Sequence, residues 1–147
     1  MTKKYTDWDK AHIYAYENDY NSLYEYLNQG LEVNVKSKNL VSFGGYVNFF
    51  KFDKNKKNFF DDITPLYIAV MKKNNKCVKL LMERGADPYI KSNSKNEPKS
   101  FYNCFEIALL FFNFKGYYMM KKYKKKENLL LNNDNLVKNN KESDNSI

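Results

Sequence analysis

The sequence predicts an all-α solenoid of about three stacked helix–turn–helix repeats, with a β-hairpin inserted between repeats one and two. Three observations carry that prediction. Short apolar runs at i, i+3, i+4 spacing occur in pairs; one pair is bounded by a strong helix start and a glycine stop; and the arrangement recurs, degenerate, on either side of it. The 147 residues suit about one domain, and 43% apolar with 17% aromatic content is too much large apolar surface for a disordered chain. That holds despite a mean hydropathy of -0.75.

The central unit is the clearest. Thr64 followed by Pro65 starts a helix: a hydroxyl caps free N–H groups, and the ring supplies helical φ with no N–H to leave unpaired. Leu66, Ala69 and Val70 then define one apolar face. The polar stretch Lys72-Lys73-Asn74-Asn75 makes a turn, and Val78, Leu81 and Met82 repeat the spacing on a second helix. Gly85 ends it, because glycine readily takes the left-handed conformation past a helix C-terminus. Ala86-Asp87-Pro88 leads the chain away extended.

Two further copies follow by alignment. Laying Gly30 on Gly85, an offset of 55, places His12 on Tyr67, Leu23 on Val78, Tyr26 on Leu81 and Leu27 on Met82. Asp9-Lys10 stands where Thr-Pro would be, as befits an end unit whose outer side meets water. Laying Ala108 on Ala69, an offset of 39, aligns Phe105 with Leu66, Leu109 with Val70, Tyr117 with Val78 and Met120 with Leu81. Here Asn103-Cys104 replaces Thr-Pro, and Lys124 replaces the closing glycine.

The string Thr64-Pro65-Leu66-Tyr67-Ile68-Ala69, closed by Gly85-Ala86-Asp87, resembles the ankyrin repeat, whose signature is T-P-L-H-x-A on a 33-residue period. Tyr67 stands in the His position, and His12 falls on it in the first unit. The resemblance implies that both residues make buried hydrogen bonds tying neighbouring loops, and that no catalysis is involved. It also implies a concave binding face. Contacts there come from the position before the signature Thr and those seven and eight after it. In this chain these are Trp8, Tyr16 and Glu17; Ile63, Met71 and Lys72; and Tyr102, Leu110 and Phe111. Aromatic residues and Met on an exposed face are the composition of an interface core.

Against a 33-residue period, the offsets imply insertions of about 22 and 6 residues in inter-unit loops. The repeats then span about 8–36, 61–91 and 100–124 within a domain of 1–126, with the longer insertion at about 37–60. Its runs Leu40-Val41-Ser42-Phe43 and Tyr46-Val47-Asn48-Phe49 around Gly44-Gly45 read as a hairpin with a primed turn, a separable finger. Residues 127–147 are rich in Asn, Lys, Asp and Ser and read as a polar, mostly disordered tail. Within it, Leu129-Leu130-Leu131 would add a last helical turn against the stack.

Charge and composition limit the function. The net charge of +8 is concentrated: residues 115–126 contribute +6, through Lys115, Lys121, Lys122, Lys124, Lys125 and Lys126. The sequence has one Arg among its 25 basic residues, so bidentate recognition of phosphate or base edges is poorly served. A solvated charge cluster at the end of the last helix is the preferred reading. The different-class alternative is a basic adaptor that binds nucleic acid or an anionic surface through Lys121–Lys126. A single His, no clustered Cys, and no phosphate-loop, zinc or nucleophile-elbow motif leave no catalytic constellation, metal site or cofactor site. Asp61 and Asp62 are adjacent, point apart, and read as turn residues.

Cys77 and Cys104 read as buried thiols of a reducing compartment. Phe105–Phe114 is too short to span a bilayer, and the polar start is not a secretory signal, so the expected location is cytoplasmic. The reading is therefore a non-enzymatic protein-binding module, with nucleic acid disfavoured and self-association a way to complete so short an array.

Overall fold

In the computed structural model, residues 9–37, 41–42, 59–94 and 102–144 are described. Three helix pairs run through them: α1 (Lys10–Glu17) with α2 (Tyr20–Asn28), α3 (Pro65–Met71) with α4 (Asn75–Glu83), and α5 (Cys104–Leu110) with α6 (Phe114–Asp144). The first helices begin at the aligned positions Asp9, Thr64 and Asn103. Their side chains accept from Ala11 N, Tyr67 N and Glu106 N respectively. Each such cap is worth about 1 kcal/mol. Asn103 is doubly secured, because Glu106 Oε2 accepts from its own N–H at 2.7 Å.

Within each pair the chain turns at one left-handed residue: Asn18, Lys73 and Phe112, with φ of 58°, 58° and 55°. Their spacing reproduces the two sequence offsets. Gly30 and Gly85 follow α2 and α4 at φ of 75° and 83°. Nothing crowds a side chain at either glycine, so the positive φ is what selects them.

The first helices stack in one layer, α1 on α3 on α5, and the second helices in another, α2 on α4 on α6. Leu23, Leu66, Val70, Val78, Leu81, Ala108 and Met120 are fully buried in one continuous core, with Phe105 packed against it. Every residue of α3, from Pro65 to Met71, is buried. This follows from its place between two neighbours, and it explains a helix that is apolar on all sides.

Short strands β1 (Val41–Ser42), β2 (Phe59–Asp61) and β3 (Asn93–Ser94) form an antiparallel sheet in the order β1-β2-β3, with Val41 opposite Phe60 and Phe60 opposite Ser94. The strand entering α3 is thus paired with the loop that leaves the same helix pair. The hairpin expected around Gly44-Gly45 lies outside the described residues.

Three expectations need correction at the C-terminal end. Residues 127–144 are not a disordered tail; they continue α6 without a break. No glycine or proline stands between Gly116 and Asp144, and Lys124 occupies the position of the missing stop. Leu129, Leu130 and Leu131 do not pack on the stack but are exposed. The Lys121–Lys126 run accordingly lies inside α6 rather than at its C-terminus, which removes the helix-end stabilisation expected of those charges.

Candidate binding face

The binding face depends on how adjacent helix pairs are joined, and the joints are polar. His12 is fully buried, and its Nε2–H donates to the Ile63 carbonyl at 2.7 Å, linking α1 to the segment entering α3. Because a carbonyl only accepts, this bond fixes the proton on Nε2. Burial holds the His12 pKa below its ordinary 6.5, against the opposing pull of the Ile63 carbonyl. Ser37 completes the joint: its N–H donates to Ile63 O at 2.9 Å, and its Oγ accepts from Ile63 N at 3.2 Å.

One unit later the same joint is built differently. The Tyr67 hydroxyl, fully buried, hydrogen-bonds Ser92 Oγ at 3.0 Å, and that Oγ lies 3.3 Å from the carbonyl oxygen of Tyr102. Ser92 N donates to the same carbonyl at 2.9 Å. Tyr67 therefore reaches the next unit through a serine, whereas His12 reaches it directly. Burial raises the Tyr67 pKa well above the ordinary phenol value, so the hydroxyl keeps its proton.

A second set of joints lies at the far ends of the first helices. Asn74 Nδ2 donates to the carbonyls of Ala15 and Tyr16 at 2.8 and 3.1 Å. Asn113 Nδ2 donates to Val70 O and to Asn75 Oδ1, both at 2.9 Å, while its Oδ1 accepts from Gly116 N at 2.9 Å. The fit is close: a Cβ on Gly116 would sit 2.5 Å from Asn113 Nδ2. Each asparagine donates to carbonyls at a helix end of the preceding unit, where the regular helical hydrogen-bond ladder stops. In the first unit the equivalent residue is Asp19. No unit precedes it among the described residues, and its carboxylate caps α2 through Ser22 N at 3.1 Å. Hydrogen bonds from the Ser22 side chain and then from Ser22 N lower the Asp19 pKa.

These joints hold the ends of α1, α3 and α5 side by side, and the expected contact residues divide accordingly. Tyr16, Lys72, Tyr102, Leu110 and Phe111 are half-buried and Glu17 is exposed. Tyr16 and Lys72, from successive units, meet directly, with the Lys72 ammonium 4.6 Å from the ring centroid of Tyr16. Met71 is 8% exposed and offers little surface. Ile63 must be corrected: its side chain is 0% exposed, and its backbone groups are engaged by His12 and Ser37. It belongs to the core and not to a surface. Trp8 lies outside the described residues.

In the basic segment, Lys121, Lys122, Lys125 and Lys126 are exposed. Lys124 is half-buried, its Nζ 2.5 Å from Glu127 Oε2 and 5.8 Å from the centroid of the Tyr89 ring.

Among the described residues, no group of three His, Cys, Asp or Glu is placed to hold a metal ion, and no helix is long and apolar enough to cross a membrane. Cys77 and Cys104 are buried free thiols; burial pushes Cys77 up to about 11 and Cys104 higher still. Sequence reasoning missed Asn74, Asn113, Ser37 and Ser92. The signal was present in the offsets, since Ser37 and Ser92 are 55 apart and Asn74 and Asn113 are 39 apart. Small polar residues in turns, however, read first as turn formers.

The sequence model of the family Ankyrin repeat matches residues 61–93, the span that holds α3 and α4. No curated protein matches the chain.

Proposed function

Because the chain carries an ankyrin repeat at residues 61–93, we propose that it is a non-enzymatic protein-interaction module that grips a protein partner along the ends of its first helices. The observation that carries this reading is the alignment of Tyr16, Lys72, Leu110 and Phe111 from three successive units, with Lys72 seated on Tyr16. A row of half-buried aromatic and aliphatic groups held by buried hydrogen bonds needs little reordering on binding, which favours affinity. Partner selection then comes from the order along the row: acidic at Glu17, basic at Lys72, apolar at Leu110 and Phe111.

The test is affinity capture with the intact chain beside a Tyr16→Ala/Leu110→Ala/Phe111→Ala variant and a variant of the opposite side, Tyr24→Ala. A partner lost only with the first variant supports the reading. A partner retained by it, or lost equally with Tyr24→Ala, overturns it. Salt separates the basic-adaptor alternative: a complex made through phosphates on Lys121–Lys126 weakens steeply between low and moderate salt, and an aromatic-anchored one changes little.

A further inference from the structure

Among the described residues, the first and last units of the array differ. At the N-terminal end Asp19 replaces the joining asparagine, and Ala11 and Ala15 are turned fully inward. At the C-terminal end the outward face becomes more apolar than its internal counterparts, the reverse of what a finished end of a repeat array requires. Leu109 stands at the position of Val70; Val70 is fully buried beneath the next unit, while Leu109 is 49% exposed. Phe114 replaces Asn75, which in the central unit accepts from Asn113. Phe112 and Tyr118 replace Lys73 and Lys79, two lysines that are exposed in the central unit. Three polar positions have thus become aromatic in the last unit, and all three rings are more than half exposed.

Along α6 this surface continues as a stripe. Phe114, Tyr118, Lys121, Lys125, Leu129 and Leu136 follow one another at spacings of 4, 3, 4, 4 and 7, which puts them on one helical face. All six are exposed. At 1.5 Å per residue the stripe is about 33 Å long. Its charge is ordered: aromatic at the start, basic in the middle, aliphatic at the far end.

We propose that this stripe is a docking surface for a helix of a partner protein, one that carries apolar residues at its two ends and Asp or Glu in the middle third. Charge complementarity selects that occupant. Residues 115–126 hold six lysines and no acidic residue. A second copy of this chain laid against the stripe would bring Lys121 and Lys125 against like charges near the centre of the contact. A second copy stacked as a fourth unit would aim the Asp19 carboxylate at the carbonyls closing α5, where the internal joints use an amide donor. An acidic amphipathic helix meets both the rings and the lysines.

The experiment uses the full chain and three fluorescein-labelled, helix-forming peptides of equal length. One carries Leu at both ends and Glu in the middle, one has Lys in place of Glu, and one is a scramble of the first; a labelled oligothymidine serves as a fourth probe. Fluorescence anisotropy is expected to show saturable binding of the Glu peptide, with at least tenfold weaker binding of the Lys peptide and the scramble. Lys121→Glu/Lys125→Glu should reverse the preference between the Glu and Lys peptides, and Leu129→Ser/Leu136→Ser should weaken the Glu peptide at least fivefold. Circular dichroism of each variant checks that α6 remains helical. The proposal is overturned by absence of saturable binding to the Glu peptide, by equal binding of the scramble, or by no reversal in the charge-swapped variant. It is equally overturned by tighter binding of oligothymidine, which makes the lysines a nucleic-acid site, or by self-association of the free chain in sedimentation that blocks the peptide.

Discussion

Asn113 is 3% exposed, and its side chain makes three hydrogen bonds: two donations to the preceding unit and one acceptance from its own helix. Asn113→Ala leaves the Val70 carbonyl and Gly116 N–H without these partners, and should cost about 2–3 kcal/mol in urea unfolding. Asn113→Asp should cost at least as much despite its near-identical shape, because a carboxylate aimed at a carbonyl repels it and cannot donate. Equal stability of the Asp variant and the parent would remove the amide from the joint. His12 gives a pH prediction of definite sign. Its pKa is lowered in the folded protein, so the unfolded chain binds the proton more readily, and stability should decline as pH falls below 6.5. His12 is the single histidine, so between pH 7 and about 5 the decline should track this one group. Chemical denaturation across that range checks it; a His12→Gln variant should be less stable at pH 7 yet show a flatter dependence.

At the level of elements, α6 has two halves with different roles. Up to Lys124 it is tied to the fold by buried Met120, by Tyr123, whose hydroxyl donates to Glu83 Oε1 at 2.9 Å, and by Lys124 over Tyr89. From Lys125 to Asp144 every residue is exposed. Truncation after Asn128 should therefore leave the thermal midpoint within about 2 °C of the parent while lowering helical ellipticity; a fall beyond about 5 °C, on the order of 1–2 kcal/mol for a domain of this size, means the distal half supports the stack. The inserted segment between β1 and β2 is tested by deletion as well. Joining Ser42 to Phe59 through a short glycine-containing turn should preserve the helical signal, because the described joints that hold α1 to α3 run through His12, Ser37 and Ile63. Loss of helicity in that deletion would make the segment part of the core.

Taken whole, the described residues form a two-layer stack in which the middle pair has a neighbouring pair on both sides and each outer pair has one. A repeat array gains stability mostly from such neighbour contacts, and three units is close to the minimum. Damage to the centre should therefore be felt throughout: Leu66→Ala, in a helix buried along its whole length, should cost about 2–5 kcal/mol and abolish cooperative unfolding of all three pairs together. The equivalent change at Phe105, which is only partly buried, should cost less. Equal penalties would show that the end pairs are sealed by more than the stack.

The positions of the helices were legible in the residues alone. Asp9, Thr64 and Asn103 mark starts and Gly30 and Gly85 mark stops because caps and left-handed turns are local chemistry, complete within a few residues of chain. The run-on of α6 was written in the same code, in the missing glycine at Lys124, but an Asn-rich composition argued louder for disorder. Burial was not legible in this way. Ile63 sits where a contact residue belongs by alignment, yet it is sealed inside; Val70 and Leu109 are equivalent by spacing, yet one is covered and the other open. Periodicity says which residues share a face, and the presence or absence of a neighbouring unit says whether that face meets protein or water.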